Sequence, residues 1–554
     1  MSREPRARRS PAARAPQASA PAHPFAPPVA LVLAALVLVT VVVQRHPLHE
    51  FFALDDLILF QQAAGVRPWP LTAWRWLSGL AWFKTVVPLW GHEPFPYHAA
   101  SLLIHALNVV LLQRLIRRWG VSEVAAFVGA ACFGLTRLHF PALLAATSIG
   151  ELLSLTFVLA ALLLAAPGPR MALAMLAMAL AVSAKESIML VPLVAPFVGD
   201  VRRPLAKCVR DWAPVILVGV ILGVVLLVSG VGSGRLGGEA YRVSLGANVL
   251  ENAGRLFGWT IDLANPIPDL HASTEGPARY LLPLAAIALT LWALRLRSRV
   301  TIGVLWWWLA VLPVLPLPGR TYLHYLYVPL AGVAIVVAAL WDAGRERWAK
   351  RAAPVATRRA WLVAAVVVLV TAAYHDFMLS TRLDLRMANV DWPLDPVLRK
   401  SRIAERGIRD VRTALNGQRG RVAILIPAST SADIDLGSGR VAEPALKRRY
   451  ALEAVLDEGR SVRAQVPNAD SVVFVHDYEP GRAGWLYLLS RSDSHLVPLG
   501  ELPAAHLRFV EAMLASRLPA AALDYADRAL ADRPDDAAMA ALRGRALAAI
   551  SAGN

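Results

Sequence analysis

Eleven apolar runs, broken by short charged or polar links, fill the first 380 residues and constrain what this chain can fold into. They lie near 28–44, 97–113, 122–138, 148–165, 171–184, 187–199, 212–230, 279–294, 300–317, 322–341 and 360–378. Inside a bilayer every backbone N–H and C=O must find its partner within the protein, so runs of this kind read as membrane-crossing helices. Composition agrees: 56% of the 554 residues are hydrophobic and 18% are charged, against roughly a quarter charged in an ordinary soluble domain. The two cysteines, Cys132 and Cys208, provide neither a disulfide framework nor a cysteine metal centre.

The formal net charge is +17, which in a soluble protein would point to nucleic acid. Here the basic residues follow the loops. With the N-terminus inside and the 171–184/187–199 pair counted as two spans, the inner loops hold Arg114/Arg117/Arg118, Arg170, Arg202/Arg203/Lys207/Arg210, Arg295/Arg297/Arg299 and Arg345/Arg347/Lys350/Arg351/Arg358/Arg359. Merging that pair into one helix would expose the two richest clusters on the outside, against the positive-inside rule. The charge is therefore a topology signal, and no nucleic-acid partner is expected. Residues 1–27, rich in Arg, Pro and Ala, read as a disordered basic cytoplasmic tail. The first run is followed by Gln44-Arg45-His46-Pro47 rather than a cleavage site, and reads as a retained anchor.

Residues 28–380 thus form the transmembrane domain, with two outer loops too long to be connectors, 45–96 and 231–278. The first carries Trp74, Trp76, Trp82 and Trp90, a density suited to helices lying in the membrane interface. The second starts Gly-rich and continues as a semi-apolar helix over 245–264. Beyond the last span, residues 395–500 mix helix-like segments with three strand-like ones, RGRVAILIP, SVVFVHDY and GWLYLLSR, and read as a small α/β domain. Residues 501–554 read as tetratricopeptide-like helices, with Ala522, Ala529 and Pro534 at the repeat's spacing, a surface suited to a protein partner. An odd number of spans puts this soluble part outside.

Chemistry-bearing residues fall on the same outer side. Asp55-Asp56 lies about ten residues beyond the first span; the pair suits a general base beside an acceptor hydroxyl, a divalent-cation site, or simply a helix cap. Arg137 and His139 occupy the second outer loop, and Glu151 follows where the chain re-enters the membrane, facing a polar cavity or pairing with Arg137. Lys185-Glu186 sits at the outer hairpin between two short spans, as a phosphate ligand with its counter-charge or as an ion pair ending two helices. Arg320, His324, Tyr325 and Tyr327 lie where the tenth span opens and offer phosphate contacts and hydroxyl donors, although tyrosines are also ordinary interface anchors. His98, His105 and Asn108, at helical spacing, read as an interhelical polar seam. Metal-ligand spacings, Walker loops and nucleophile elbows are absent from the sequence.

The segments LDDLILF (54–60), HFPALLAATSIGELL (139–153), SAKESIMLVP (183–192) and HYLYVP (324–329) together resemble the GT-C class of membrane glycosyltransferases. The branch most similar joins the membrane domain to tetratricopeptide repeats, as in the transmembrane O-mannosyltransferases. The resemblance implies a mainly α, polytopic helical membrane protein of GT-C type with about eleven spans and a C-terminal α/β plus tetratricopeptide-like domain. It also implies transfer of a sugar from a polyprenyl-phosphate donor to a protein, glycan or lipid acceptor, with inversion. Carried over, Asp55 is the base and Asp56 assists it or binds the acceptor; Lys185 and Arg137 neutralise the leaving phosphate, with Arg320 and His324 as further donor contacts. Glu151 and Glu186, with His139, Tyr325 and Tyr327, shape the sugar and acceptor pocket. No cofactor is implied with certainty, and a divalent cation beside Asp55 and Asp56 is left open. Two positions depart from the pattern: His324 stands where relatives often have Arg, and Ile149-Gly150 where they show Gly-Arg. The expected setting is a bacterial inner membrane, with the N-terminus cytoplasmic and the C-terminal domain periplasmic. A lipid-linked glycan polymerase or ligase, and a non-catalytic envelope scaffold or transporter, are the competing readings.

Overall fold

The computed structural model describes residues 28–69, 74–165, 169–197, 205–232, 243–270, 278–296, 298–318, 320–349, 356–387, 390–426, 450–476, 478–479, 482–491 and 494–553. The basic tail 1–27 and most of the Gly-rich start of the second outer loop lie outside them.

Each expected apolar run carries a helix within its described part. The helices are α1 (Val29–Val43), α2 (Leu54–Ala63), α3 (Trp82–Trp90), α4 (Pro94–Arg118), α5 (Glu123–Leu135), α6 (Phe140–Leu144), α7 (Ile149–Leu164) and α8 (Pro169–Ala184). They continue as α9 (Leu205–Gly232), α10 (Ala247–Ile261), α11 (Ala278–Leu296), α12 (Arg299–Val311), α13 (Pro329–Ala349) and α14 (Ala356–Asp384). Among the described residues four helices are long and apolar enough to cross a membrane alone, and the bent pair Glu123–Leu135 plus Arg137–Leu144 makes a fifth candidate. The others are shorter apolar helices, or, in α13, end in a charged turn with Asp342, Arg345, Glu346 and Arg347.

The run at 187–199 is a 3-10 helix, Glu186–Phe197, rather than an α-helix. Pro192 and Pro196 each lack the N–H an α-helix would use, and the 3-10 rise of about 2.0 Å per residue lets twelve residues reach about 24 Å. Gly219 of α9 faces both the Met178 side chain of α8 and the Met189 carbonyl of this segment. The two elements therefore lie side by side at one depth, and Lys185 sits at the turn between them. Close helix crossings elsewhere rely on missing side chains: a Cβ on Gly303 of α12 would lie 2.5 Å from the Gly332 carbonyl of α13, and one on Gly332 would lie 2.5 Å from that of Gly303.

The arginine-rich loop ends gather on one face. Arg118 donates to the Leu162 and Ala165 carbonyls, Arg299 to the Trp119 carbonyl, and Asp342 accepts from the Ser122 N–H and lies near Arg299 and Arg345. The opposite face carries the soluble part. There a short hairpin, β1 (Arg386–Met387) and β2 (Val390–Pro393), leads into α15 (Pro396–Leu415). A four-stranded sheet follows, built from β3 (Gly420–Leu425), β4 (Ala469–Val475), β5 (Trp485–Ser490) and β6 (Leu496–Gly500) in the order β4-β3-β5-β6. β3 is parallel to β4 and β5, and β6 is antiparallel to β5. Alternation along β3 gives each sheet face its own core. Val422 and Ile424 pack with α15, α16 (Tyr450–Leu456) and α17 (Arg460–Gln465). Ala423 and Leu425 pack with α18 (Ala504–Ala515), α19 (Pro519–Asp532) and α20 (Ala537–Gly553). The C-terminal helices thus share a core with the sheet.

The soluble part is also continuous with the first outer loop. Phe52, Leu57, Phe60, Phe83 and Tyr97 occupy the same hydrophobic cluster as Ile403, Ile408, Val455 and Leu488. Around it Arg402 pairs with Glu50 at 2.8 Å, the Ser401 hydroxyl donates to the Phe51 carbonyl, and Gln61 donates to Ser461. The loop 45–96 and the C-terminal domain therefore lie on the same side of the helical bundle.

One buried pair fastens this junction. Arg382, near the end of α14, and Asp395 are both fully buried and paired, and the same carboxylate caps α15 by accepting from the Val397 and Leu398 N–H groups at 2.8 Å. The Arg382 guanidinium also lies over the Phe140 ring and 4.0 Å from Asp269. Removing one partner of a buried pair leaves an uncompensated charge, at a typical loss of about 3–5 kcal/mol. Arg382→Met is expected to lower the unfolding midpoint of the detergent-solubilised protein and to open residues 385–395 to protease; a wild-type midpoint and digestion pattern would contradict this role.

Candidate active site on the soluble-domain side

The sharp turns that follow α5, α8 and α12, together with the first outer loop, bring the candidate residues towards one region. The loop reaches it through a six-residue π-helical turn, Trp76–Ala81, whose Ser78 hydroxyl donates to the Ala184 carbonyl at 2.6 Å. A Cβ on Gly150 would lie 3.0 Å from that same carbonyl and 3.1 Å from the Ser78 hydroxyl oxygen. A larger residue at 150 would push the loop away from the hairpin.

At this meeting point stand two ion pairs. The Lys185 ammonium donates to Glu151 at 2.5 Å, with both side chains almost wholly buried. Glu151 therefore pairs with Lys185, not with Arg137. Arg75 donates from Nε and Nη2 to the two oxygens of Glu186 at 2.9 and 2.6 Å, the two-pronged geometry that makes arginine–carboxylate pairs strong. Lys185 and Glu186 are consecutive, so two cations and two carboxylates share one spot. The Lys185 ammonium also lies 5.1 Å from the Tyr325 ring centre, a cation–π distance.

Arg75 was not among the residues singled out from the sequence. It lies in a left-handed conformation, φ 50°, unusual for a residue with a side chain. The Glu186 pair holds it there, with the guanidinium stacked 4.4 Å from the Trp74 ring. Its sequence signal was an arginine set directly between two of the interfacial tryptophans, Trp74 and Trp76.

His324 stacks on Tyr322 and meets Tyr325 edge-on. Arg320 is half-buried in the same loop.

Other candidates lie elsewhere. Tyr327 belongs to the polar seam. His105 Nε2 donates to the Gly134 carbonyl, which leaves Nδ1 to accept from the Tyr327 hydroxyl at 2.9 Å, while Asn108 donates to Tyr327 and to the Leu152 carbonyl. His139 is fully buried beside it, its ring against His105, Phe133 and Tyr327. Arg137 is buried, with its guanidinium donating to the Asn265 and Asp262 carbonyls; it anchors the loop after α10.

The two aspartates at the start of α2 divide. Asp55 is exposed, while Asp56 is fully buried. Asp56 closes a capping box by accepting from the Ala53 N–H at 3.0 Å, and accepts from the Thr147 N–H at 2.6 Å. It thus ties α2 to the turn that leads into Glu151. Each Asp56 oxygen thus accepts from one backbone N–H, and among the described residues no three His, Cys, Asp or Glu side chains gather as metal ligands.

Burial raises the Asp56 carboxyl from 3.8 to about 6, against the backbone N–H bonds that lower it. The native carboxyl takes its proton more readily than the unfolded one. Its contribution to stability is complete below about pH 4 and is lost as pH rises through about 6, a difference of about 2–3 kcal/mol. The wild-type melting temperature should therefore fall across that window relative to Asp56→Asn; a pH-independent difference between the two curves would contradict the assignment.

The chain matches no protein-family model, and it matches no curated protein sequence. Among solved structures, that of ArnT from Cupriavidus metallidurans bound to undecaprenyl phosphate aligns over 83% of this chain and 93% of that one, at 14% identity and a TM-score of 0.40. At that superposition the likeness carries no assignment.

Proposed function

We propose that the protein is a membrane glycosyltransferase that moves a sugar from a polyprenyl-phosphate carrier to an acceptor hydroxyl, on the membrane face bearing the C-terminal domain. The observation that carries this reading is the double ion pair Lys185–Glu151 and Arg75–Glu186, set between apolar helices and linked through the Asp56–Thr147 bond to the helix bearing Asp55. Buried charges beside a bilayer mark sites that handle charged ligands. An ammonium has three N–H donors, so Lys185 can keep Glu151 and still reach a phosphate. Arg75 supplies a second cation.

In the reaction, Asp55 accepts the proton of the acceptor hydroxyl as its oxygen bonds to the anomeric carbon. The anomeric carbon–oxygen bond to phosphate breaks on the opposite face, and polyprenyl phosphate leaves with the electron pair, giving inversion. Lys185 and Arg75 meet the charge that develops on the departing phosphate, and Glu151 and Glu186 hold the cations in place and line the sugar pocket. An apolar groove of about 370 Å³ between α8 and α9, lined by Met175, Pro214, Leu217, Ile221 and Val225, offers room for part of a prenyl chain. Met175 lies nine residues before Ala184, about 13 Å along α8 from the ion pairs. The setting that accords with the charge distribution is a bacterial inner membrane with this face periplasmic.

The test is turnover of radiolabelled polyprenyl-phosphate hexoses in membranes from cells producing the full chain. Wild type should release label from at least one donor. Asp55→Asn should lower the rate by about 10²-fold or more, as expected for loss of a general base, and Lys185→Ala by about 10²- to 10³-fold. Equal turnover in all three would remove the site assignment. No turnover with any donor, beside a normal cellular phenotype for Asp55→Asn, would favour a scaffold.

A further inference from the structure

The short helix that carries the candidate base is held by the soluble domain at both ends. Just before α2, the Ser401 hydroxyl of α15 donates to the Phe51 carbonyl at 2.8 Å, and Arg402 pairs with Glu50 at 2.8 Å. At the other end, Gln61 Nε2 donates to the Ser461 hydroxyl of α17 at 2.6 Å, with both side chains fully buried. The Gln61 carbonyl also accepts from the Val66 and Arg67 N–H groups, so the residue that reaches Ser461 turns the chain out of α2 as well. Asp55 stands four residues after Phe51 and six before Gln61.

Both anchors are themselves fixed. Asp395 caps α15 at its start while paired with Arg382 of α14. α17 follows Gly459, whose φ of 88° lies in the left-handed region, and a Cβ there would lie 2.6 Å from the Val472 carbonyl oxygen of β4. The turn that sets Ser461 is thus pressed against the sheet as only glycine allows. Between the anchors, Leu57 and Phe60 of α2 share one cluster with Val455, Leu456 and Val462 of the soluble domain. With ten residues, α2 is too short to hold its own shape in water, where isolated helices under about 12–15 residues are marginal. Its buried face lies on the soluble domain, Asp55 points outward, and Asp56 reaches Thr147 in the turn leading to Glu151, the partner of Lys185.

We propose that Ser401 and Ser461 are positioning residues: through Phe51 and Gln61 the C-terminal domain fixes α2, and with it the placement of Asp55 relative to Lys185 and Arg75. This rests on the glycosyltransferase reading, with Asp55 as the base. A base displaced by about 1 Å can lose about 10²-fold in rate, so the soluble domain acts on the chemical step itself, whatever acceptor it also meets.

Two measurements on the full-length protein in detergent decide it. The first needs no substrate: hydrogen exchange of the α2 amides, read by mass spectrometry on peptides covering 54–63. Ser461→Ala and Ser401→Ala each remove one partner of an inter-domain hydrogen bond and should quicken that exchange by about fivefold or more. Tyr525→Phe, which removes the buried bond to His506 on the other face of the sheet, should leave it unchanged. Wild-type exchange in both serine variants, or equal quickening in Tyr525→Phe, overturns the clamp.

The second is turnover with the hexose donor panel. Each serine variant should lower kcat by about tenfold while donor KM stays within about twofold, because neither touches Lys185 or Arg75. Tyr525→Phe should keep the wild-type rate. Wild-type kcat in both serine variants, a loss confined to KM, or an equal kcat loss in Tyr525→Phe overturns the positioning role. If wild type transfers from no donor, the glycosyltransferase reading falls together with that role, and the exchange result alone decides whether the soluble domain holds α2.

Discussion

A charge withdrawn from water at the edge of a bilayer has to be met by another charge, and three such meetings organise this protein. Arg382–Asp395 joins the last long helix to the soluble domain, Lys185–Glu151 joins two hairpins of the bundle, and Arg75–Glu186 joins the first outer loop to one of them. None of these cations could remain in place without its carboxylate, because desolvation of a lone ion costs more than local packing returns. The pairs therefore specify which turn sits against which.

From that requirement the candidate site follows. The helices themselves are interchangeable apolar rods, packed through small residues such as Gly303 and Gly332. The buried ion pairs lie where their connecting turns meet. The turns after α5 and α8, the π-helical turn of the first loop and the segment before α13 converge on one face, and the soluble domain closes over it through a shared apolar cluster. A site assembled from connections can be tuned by loop residues without disturbing the bundle, and the left-handed Arg75 shows local strain accepted for the sake of one pair.

How much of this was legible in the sequence depended on the range of the interactions. Apolar runs and their lengths are local, so the helix positions and the strands at 420–425, 469–475 and 485–490 could be read directly. Glu151, Lys185 and Glu186 were legible because an ionisable residue within an apolar run is conspicuous. Arg75 was not, because its partner lies 111 residues away and its own surroundings read as an interfacial helix. The distinct roles of Asp55 and Asp56 were hidden too: adjacent on a helix, they point apart, and only the contact with Thr147 shows which one is structural. The docking of the C-terminal domain depends on contacts such as Ser401 with Phe51, 350 residues apart. No periodicity could announce them.

The central claim is that the Lys185 and Arg75 region receives the phosphate of a lipid carrier. A cryo-electron microscopy map of the full chain in lipid nanodiscs with polyprenyl phosphate tests it most directly. The account predicts phosphate density within hydrogen-bonding reach of the Lys185 ammonium, with Arg75 alongside and the prenyl chain leaving between helices. Phosphate density held elsewhere, with both ion pairs closed as they are here, would contradict it.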